Sequence, residues 1–211
     1  MDEKERQSAL MSALVTEHFV LQTAASGTIA EAGARASLFV FALSSALVAM
    51  GFASRSREVF VPFVATVLPA LFLLGVFTVV RLVDTTLENM QYLAGIARIR
   101  GYYRTLGPDA AAHFAPQTGR WPEARTSPAL AHGEFIAFLG TSASMVAFID
   151  SVVAGAGVTL LAGDLRVGGR TVPSLALGVA VVPALMAAFL AYQRWRFASA
   201  PATGARGPSQ E

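Results

Sequence analysis

Three windows of this chain contain no charged residue: Ala36–Ser54, Val59–Val80 and Thr171–Gln193. A fourth, Phe135–Gly163, is longer still and holds a single charge, Asp150. About 20 apolar residues at roughly 1.5 Å each cross a hydrocarbon core of about 30 Å. Inside that core the backbone must bond to itself, so only helices and closed barrels can span it, and unbroken apolar runs are the helical kind. The windows therefore predict an all-α helical transmembrane protein with four spans in two hairpins, an N-terminal helix, and a cytoplasmic helical extension of the second span.

Composition agrees. Hydrophobic residues make up 54% and charged residues 14%, against about 25% charged in soluble domains. A length of 211 residues suits one compact bundle. The formal charge of +2 comes from arginines beside apolar segments, where the positive-inside rule places them, and this argues against a nucleic-acid partner. The chain has no cysteine, which excludes disulfides and thiolate chemistry. Its start, MDEKERQ, is mixed in charge and its first apolar run begins only at Ala36. A secretory signal is basic and then apolar from near the start, so the first span is expected to remain in the mature protein. One lysine, Lys4, against fifteen arginines, in an alanine-rich chain, suggests a GC-rich bacterial genome and hence the bacterial inner (cell) membrane.

Arginine placement sets an expected orientation. The N-terminal lead, the central loop and the tail hold twelve of the sixteen cations, while the two short loops hold Arg55, Arg57, Arg166 and Arg170. Both termini and the central loop are expected in the cytoplasm.

The expected organisation has five parts: 1–35, a cytoplasmic or interfacial helix; 36–80, a first hairpin; 81–133, a cytoplasmic helix and Pro-rich loop; 134–193, a second hairpin; and 194–211, a disordered tail. In the lead, Leu10, Leu14, Leu21 and Ala25 form one face, and Glu17, His18, Gln22 and Ser26 favour the other. Gly27 and Gly33 weaken the helix before the first span. Arg81–Leu106 reads as a continuation of the second span, ending at Gly107-Pro108, a helix stop. Pro108, Pro116, Pro122 and Pro128 then punctuate a loop. Gly168-Gly169 reads as a turn in the outer loop.

Asp150 is the sharpest chemical feature. A carboxylate at mid-span costs about 2.5 kcal/mol or more unless neutralised or solvated. At matching depth on the neighbouring helices are Ser44, Ser45 and Thr66, and Pro69 frees the carbonyl of Ala65 to accept from a protonated acid. Two readings follow: a proton or cation site, or a neutral acid joining helices. The third span is also rich in small residues, with Ala143, Ala147, Ser151 and Gly155 at i,i+4 spacing. That pattern serves the bundle's own packing or a homo-oligomer. The run Arg98-Ile-Arg-Gly-Tyr-Tyr-Arg104 offers Arg98, Arg100 and Arg104 as an anion or lipid contact. His18, His113 and His132 lack metal-ligand spacing, and no nucleotide, hydrolase or cofactor motif is present. The expectation is a protein with no catalytic residue, metal or cofactor, in contact with the lipid bilayer and an unidentified cytoplasmic partner.

The phrases EHFVLQTA, EAGARASLFVFALSSALVA and ARIRGYYRTL, in that order around the first hairpin, resemble those of a set of bacterial four-span integral membrane proteins with no assigned activity. The resemblance covers most of residues 14–106 and, more loosely, both later spans. In layout alone the chain is similar to membrane effectors of nucleotide-activated antiphage systems, which also join a helical lead, a hairpin and a cytoplasmic segment.

Overall fold

The computed structural model describes residues 2–120, 141–161, 165–167 and 170–199. Its elements are α1 (Glu3–Ala53), α2 (Arg57–Tyr103) with a 3₁₀ turn at Arg104–Leu106, α3 (Pro108–His113), α4 (Ser142–Leu161), β1 (Leu165–Val167), β2 (Arg170–Val172) and α5 (Ser174–Ser199). Among the described residues, four helices are long and apolar enough to cross a membrane. The two three-residue strands pair antiparallel, Arg166 opposite Thr171. This short ladder was not expected. Gly168-Gly169, the expected turn, lies outside the described residues.

The chain divides into two compact units. One contains 32–84 and 139–199. Its helices each bury a stripe at alternating three- and four-residue spacing, the spacing that keeps one helical face in contact. On α1 the stripe is Ala36, Phe39, Leu43, Ala46 and Met50; on α2 it is Val64, Leu68, Leu71, Gly75, Thr78 and Leu82. Val64, Leu68, Leu71 and Val153 form the core, with Leu43, Ala46 and Met50 packed against it. The opposite faces carry exposed Phe41, Phe52, Phe77, Phe148 and Val179. Large apolar groups turned outward are unfavourable in water and are what a lipid surround requires. Pro62 and Pro69 lie inside α2 and Pro183 inside α5.

On α4 the small-residue stripe is buried, and at Gly155 it packs on α5. Ala143, Ala147 and Ser151 are buried, and a Cβ on Gly155 would stand 2.6 Å from the carbonyl oxygen of Gly178 on α5. A Cβ on Gly178 would in turn fall on Thr159 Oγ1. Glycine at both positions therefore lets two backbones approach more closely than any side chain allows. Gly155, at one end of this face, packs within the unit; Gly140 lies outside the described residues. At the far end of α5, Arg196 donates to Asp84 of α2. Residues 194–199, expected in the tail, continue the helix, and 200–211 lie outside the described residues.

The second unit contains 1–31 and 85–138, together with 200–211. Here α1 and α2 meet at Leu21, whose Cδ1 would stand 2.9 Å from a Cβ on Gly95, and at Thr28, whose Oγ1 lies 3.2 Å from Asn89 Oδ1. Seven residues forward on α1 match six back on α2, so the two run antiparallel. The packed face of α1 is Leu14, His18, Leu21, Ala25 and Thr28. His18 thus shares the apolar face instead of the polar one expected, because it stands four residues from Leu14 and three from Leu21. Gly27 and Gly33 interrupt nothing: α1 is one helix across both. Nor is the whole Pro-rich stretch a loop, since Pro108 opens α3 at a first-turn position where its missing N–H costs nothing. The stop at Gly107 is as expected, its φ of 156° being one that side-chain-bearing residues rarely adopt.

Candidate functional site

Two places concentrate polar chemistry. The first is Asp150, 4% exposed, with no hydrogen-bond partner for Oδ1 among the described residues. Its carboxyl group lies against Gly75 of α2, so closely that a Cβ there would coincide with it. The expected companions are elsewhere. Ser44 and Ser45 are exposed, and Ser44 donates to Val40 O at 2.8 Å. Thr66 is exposed too and is satisfied by Pro62 O and Phe63 O of its own helix, each at 3.0 Å.

The register explains the difference. Asp150 meets Gly75, and a Cβ on Gly157 would lie 3.6 Å from Leu68 Cδ1, so seven residues forward on α4 match seven back on α2. By that register Thr66 faces position 159. The nine residues between Thr66 and Gly75 amount to about 13 Å along the helix. The nearly charge-free window beginning at Phe135 suggested a longer span, whereas α4 begins at Ser142. Gly75 was missed because a glycine in an apolar run carries no chemistry of its own. Its place on the three-four stripe of α2 was the available signal.

The second place is a cavity of about 690 Å³ in the unit of 1–31 and 85–138. Val15, Phe19 and Ile29 of α1 and Leu93 and Ile96 of α2 give it apolar walls, while Arg100, Tyr103, His113, Phe114 and Arg120 gather at one end. That end is built by the chain's reversal after α2. Arg104 Nη1 donates to Phe114 O at 3.2 Å, and the Tyr103 and Phe114 rings stand 5.3 Å apart. Arg120 N then donates to His113 O at 3.1 Å. This return needs a glycine at 119, where a Cβ would meet Ala115 O at 2.5 Å and His113 O at 2.6 Å.

The three arginines expected together are separated. At about 100° per residue, positions 100 and 104 share a face and position 98 lies on the far side. Arg98 is exposed, Arg100 is 9% exposed in the cavity wall, and Arg104 fastens α2 to Phe114. His18 Nδ1, on the α1 wall, is buried with no hydrogen-bond partner among the described residues. Among the described residues no carboxylate lines the cavity. Among the described residues no group of three or more His, Asp or Glu side chains is placed to hold a metal ion. The contribution of α1 to this cavity was hidden in the sequence, because the whole first hairpin separates its two walls.

Comparison with protein-family models, curated protein sequences and solved structures finds no match to this chain.

Proposed function

We propose that the chain is a non-enzymatic, multi-pass protein of the bacterial cell membrane. Its four spans form two hairpins, and its termini and central segment lie in the cytoplasm. It works there as a sensor, scaffold or effector through its cytoplasmic helices. The observation that carries this reading is the cavity: a volume of about 690 Å³ lies within the range of about 300–1,000 Å³ typical of small-molecule sites. Its apolar walls and few convergent polar groups fit the same description. The distribution of cations supports the orientation.

Transport through Asp150 is the second reading, favoured by its buried, unsatisfied Oδ1. The tight seat against Gly75 supports a packing role instead. Proton or cation flux into proteoliposomes separates the two. The sensor reading expects the wild-type protein to leave an internal pH dye unchanged under an imposed potential. Flux that Asp150→Asn abolishes would replace it with the transport reading.

A further inference from the structure

Among the described residues, the buried polar groups of the membrane-spanning unit are Thr78 on α2, Ser144, Asp150 and Ser151 on α4, and Gln193 on α5. Helix registers show how they are arranged. Asp150 meets Gly75, and Gly157 approaches Leu68, so Thr78 stands level with position 147 and Ser144 with position 81. Gly178 meets Gly155 and Thr159, which are level with positions 66–70 of α2, and Arg196 meets Asp84. Helix α5 therefore runs parallel to α2, and Gln193 stands level with Ser144. The polar groups form a file: from the Asp84–Arg196 pair past Ser144 and Gln193, then past Thr78, to Asp150 and Ser151. From Asp84 to Gly75 is nine residues, about 13 Å. Leu82, Val146 and Phe189 are buried in the same half, so the polar groups make a file and not a pore. Toward the other end the unit closes on apolar groups. Leu68 and Val153 belong to the core, a Cβ on Gly157 would lie 3.6 Å from Leu68 Cδ1, and one on Gly155 would lie 2.6 Å from Gly178 O. Thr159, on that side, is turned to Gly155 O of its own helix at 3.0 Å.

Two oxygens of the file, Asp150 Oδ1 and Gln193 Oε1, are buried with no hydrogen-bond partner among the described residues. The hydroxyls of Thr78 and Ser151 donate to Leu74 O and Ala147 O of their own helices, each at 2.7 Å, and keep lone pairs that can accept. Ser144 Oγ lies 3.0 Å from Thr141 Oγ1. Buried acceptors without donors are costly, and water, which supplies two donors, suits a row of them. We propose that the file is a hydrated, one-sided proton path. Through it the Asp150 carboxylate takes a proton from water at the membrane face of the Asp84–Arg196 end, becoming the neutral acid, and returns it to the same face. That face is the cytoplasmic one in the orientation proposed above. The windows 36–54, 59–80 and 171–193 bring no charged residue to Asp150 from α1, α2 or α5. Among the described residues, the nearest titratable groups on these helices are Arg81, Asp84, Tyr192, Arg194 and Arg196, all at the open end. The site differs from the transport reading in its closed far side, and it does not depend on what the cavity of the other unit binds.

The test uses the full chain, which has no cysteine, in sealed membrane vesicles of each orientation. Single cysteines are exposed to silver ion, a thiol reagent small enough to follow water, and the reaction is read as protection from a maleimide added after solubilisation. Only the thiolate reacts, and apolar surroundings suppress it. Ser144→Cys and Gln193→Cys should therefore react about 100-fold or more faster than Phe148→Cys and Val179→Cys on the lipid-facing surface, and only from the side that labels His113→Cys. Asp150→Cys should react from that side too. Thr78→Leu, placed between, should silence Asp150→Cys and leave Gln193→Cys reactive, which also shows that the variant is folded. A second measurement needs no cysteine: the infrared carboxyl band lost in Asp150→Asn should follow the pH on the His113 side of sealed proteoliposomes and ignore the other side. Reaction from the opposite face would overturn the proposal, as would lipid-facing rates at both Ser144→Cys and Gln193→Cys, or a band that follows the opposite pH or neither. Proton flux that Asp150→Asn abolishes would overturn both the closed far side and the sensor reading, whereas one-sided labelling without flux supports the path whatever the cavity binds.

Discussion

Replacing Gly75 with alanine should destabilise the membrane-spanning unit chiefly through Asp150, which supplies the three atoms nearest the added Cβ. The added Cβ would clash with Oδ1 and Cγ of Asp150 and stand 2.8 Å from Oδ2; rotating the carboxylate leaves Cγ in place and cannot clear it. Asp150 is 4% exposed on a helix packed against both α2 and α5, and one of its three side-chain rotamers is rare in helices. Relief must therefore come from separating the helices, at the overpacking cost of about 1–3 kcal/mol. Asp150→Ala removes the obstacle, so Gly75→Ala should cost little in that background. The coupling between the two changes should reach about 1 kcal/mol or more, as for residues in direct contact. Unfolding by sodium dodecyl sulfate in mixed micelles, followed by tryptophan fluorescence, measures all four proteins of the cycle. If the two substitutions add as independent sites do, within about 0.5 kcal/mol, the carboxyl is not seated on Gly75 and the register of α4 on α2 is wrong.

Three further outcomes follow from the same geometry. Gly178→Ala should destabilise by about 1–3 kcal/mol in the same assay, because its Cβ would fall on Thr159 Oγ1 and Gly155 O; Ala154→Gly on α4 should not reproduce that loss through steric conflict. Reversing Arg196 to Asp should weaken the unit by setting it against Asp84, and the double reversal with Asp84→Arg should restore it; failure of the double to recover would deny the pair a role. Asp150→Asn keeps the size and a donor and should fold nearly as the wild type, whereas Asp150→Leu should cost on the order of 1 kcal/mol if a hydrogen bond is made there; equal stability of all three would leave Asp150 to packing alone.

The spans were legible because lipid imposes length and apolarity directly on the sequence, and the end of α2 was legible because Gly107-Pro108 acts locally. The relation of one helix to another was not. Matching Asp150 with Thr66 required knowing where α4 starts. A shift of nine residues in register exchanged Thr66 for Gly75. The arginine run shows a different failure: Arg98, Arg100 and Arg104 are neighbours in sequence, yet helical rotation turns Arg98 away from the other two. Counting at about 100° per residue would have separated them. The same counting would have placed His18 beside Leu14 and Leu21. The cavity itself could not be read, because Val15–Ile29 and Asn89–Arg120 form walls only after the chain reverses between them.

The account depends on a cytoplasmic helical unit joined to membrane-spanning helices, and single-cysteine labelling tests that directly. The chain has no cysteine of its own, and His113 and Arg57 are both exposed. With an impermeant maleimide on intact cells, Arg57→Cys should label at once and His113→Cys only after the membrane is permeabilised. Labelling of His113→Cys in intact cells, with Arg57→Cys protected until permeabilisation, would contradict the orientation and place the cavity outside the cytoplasm.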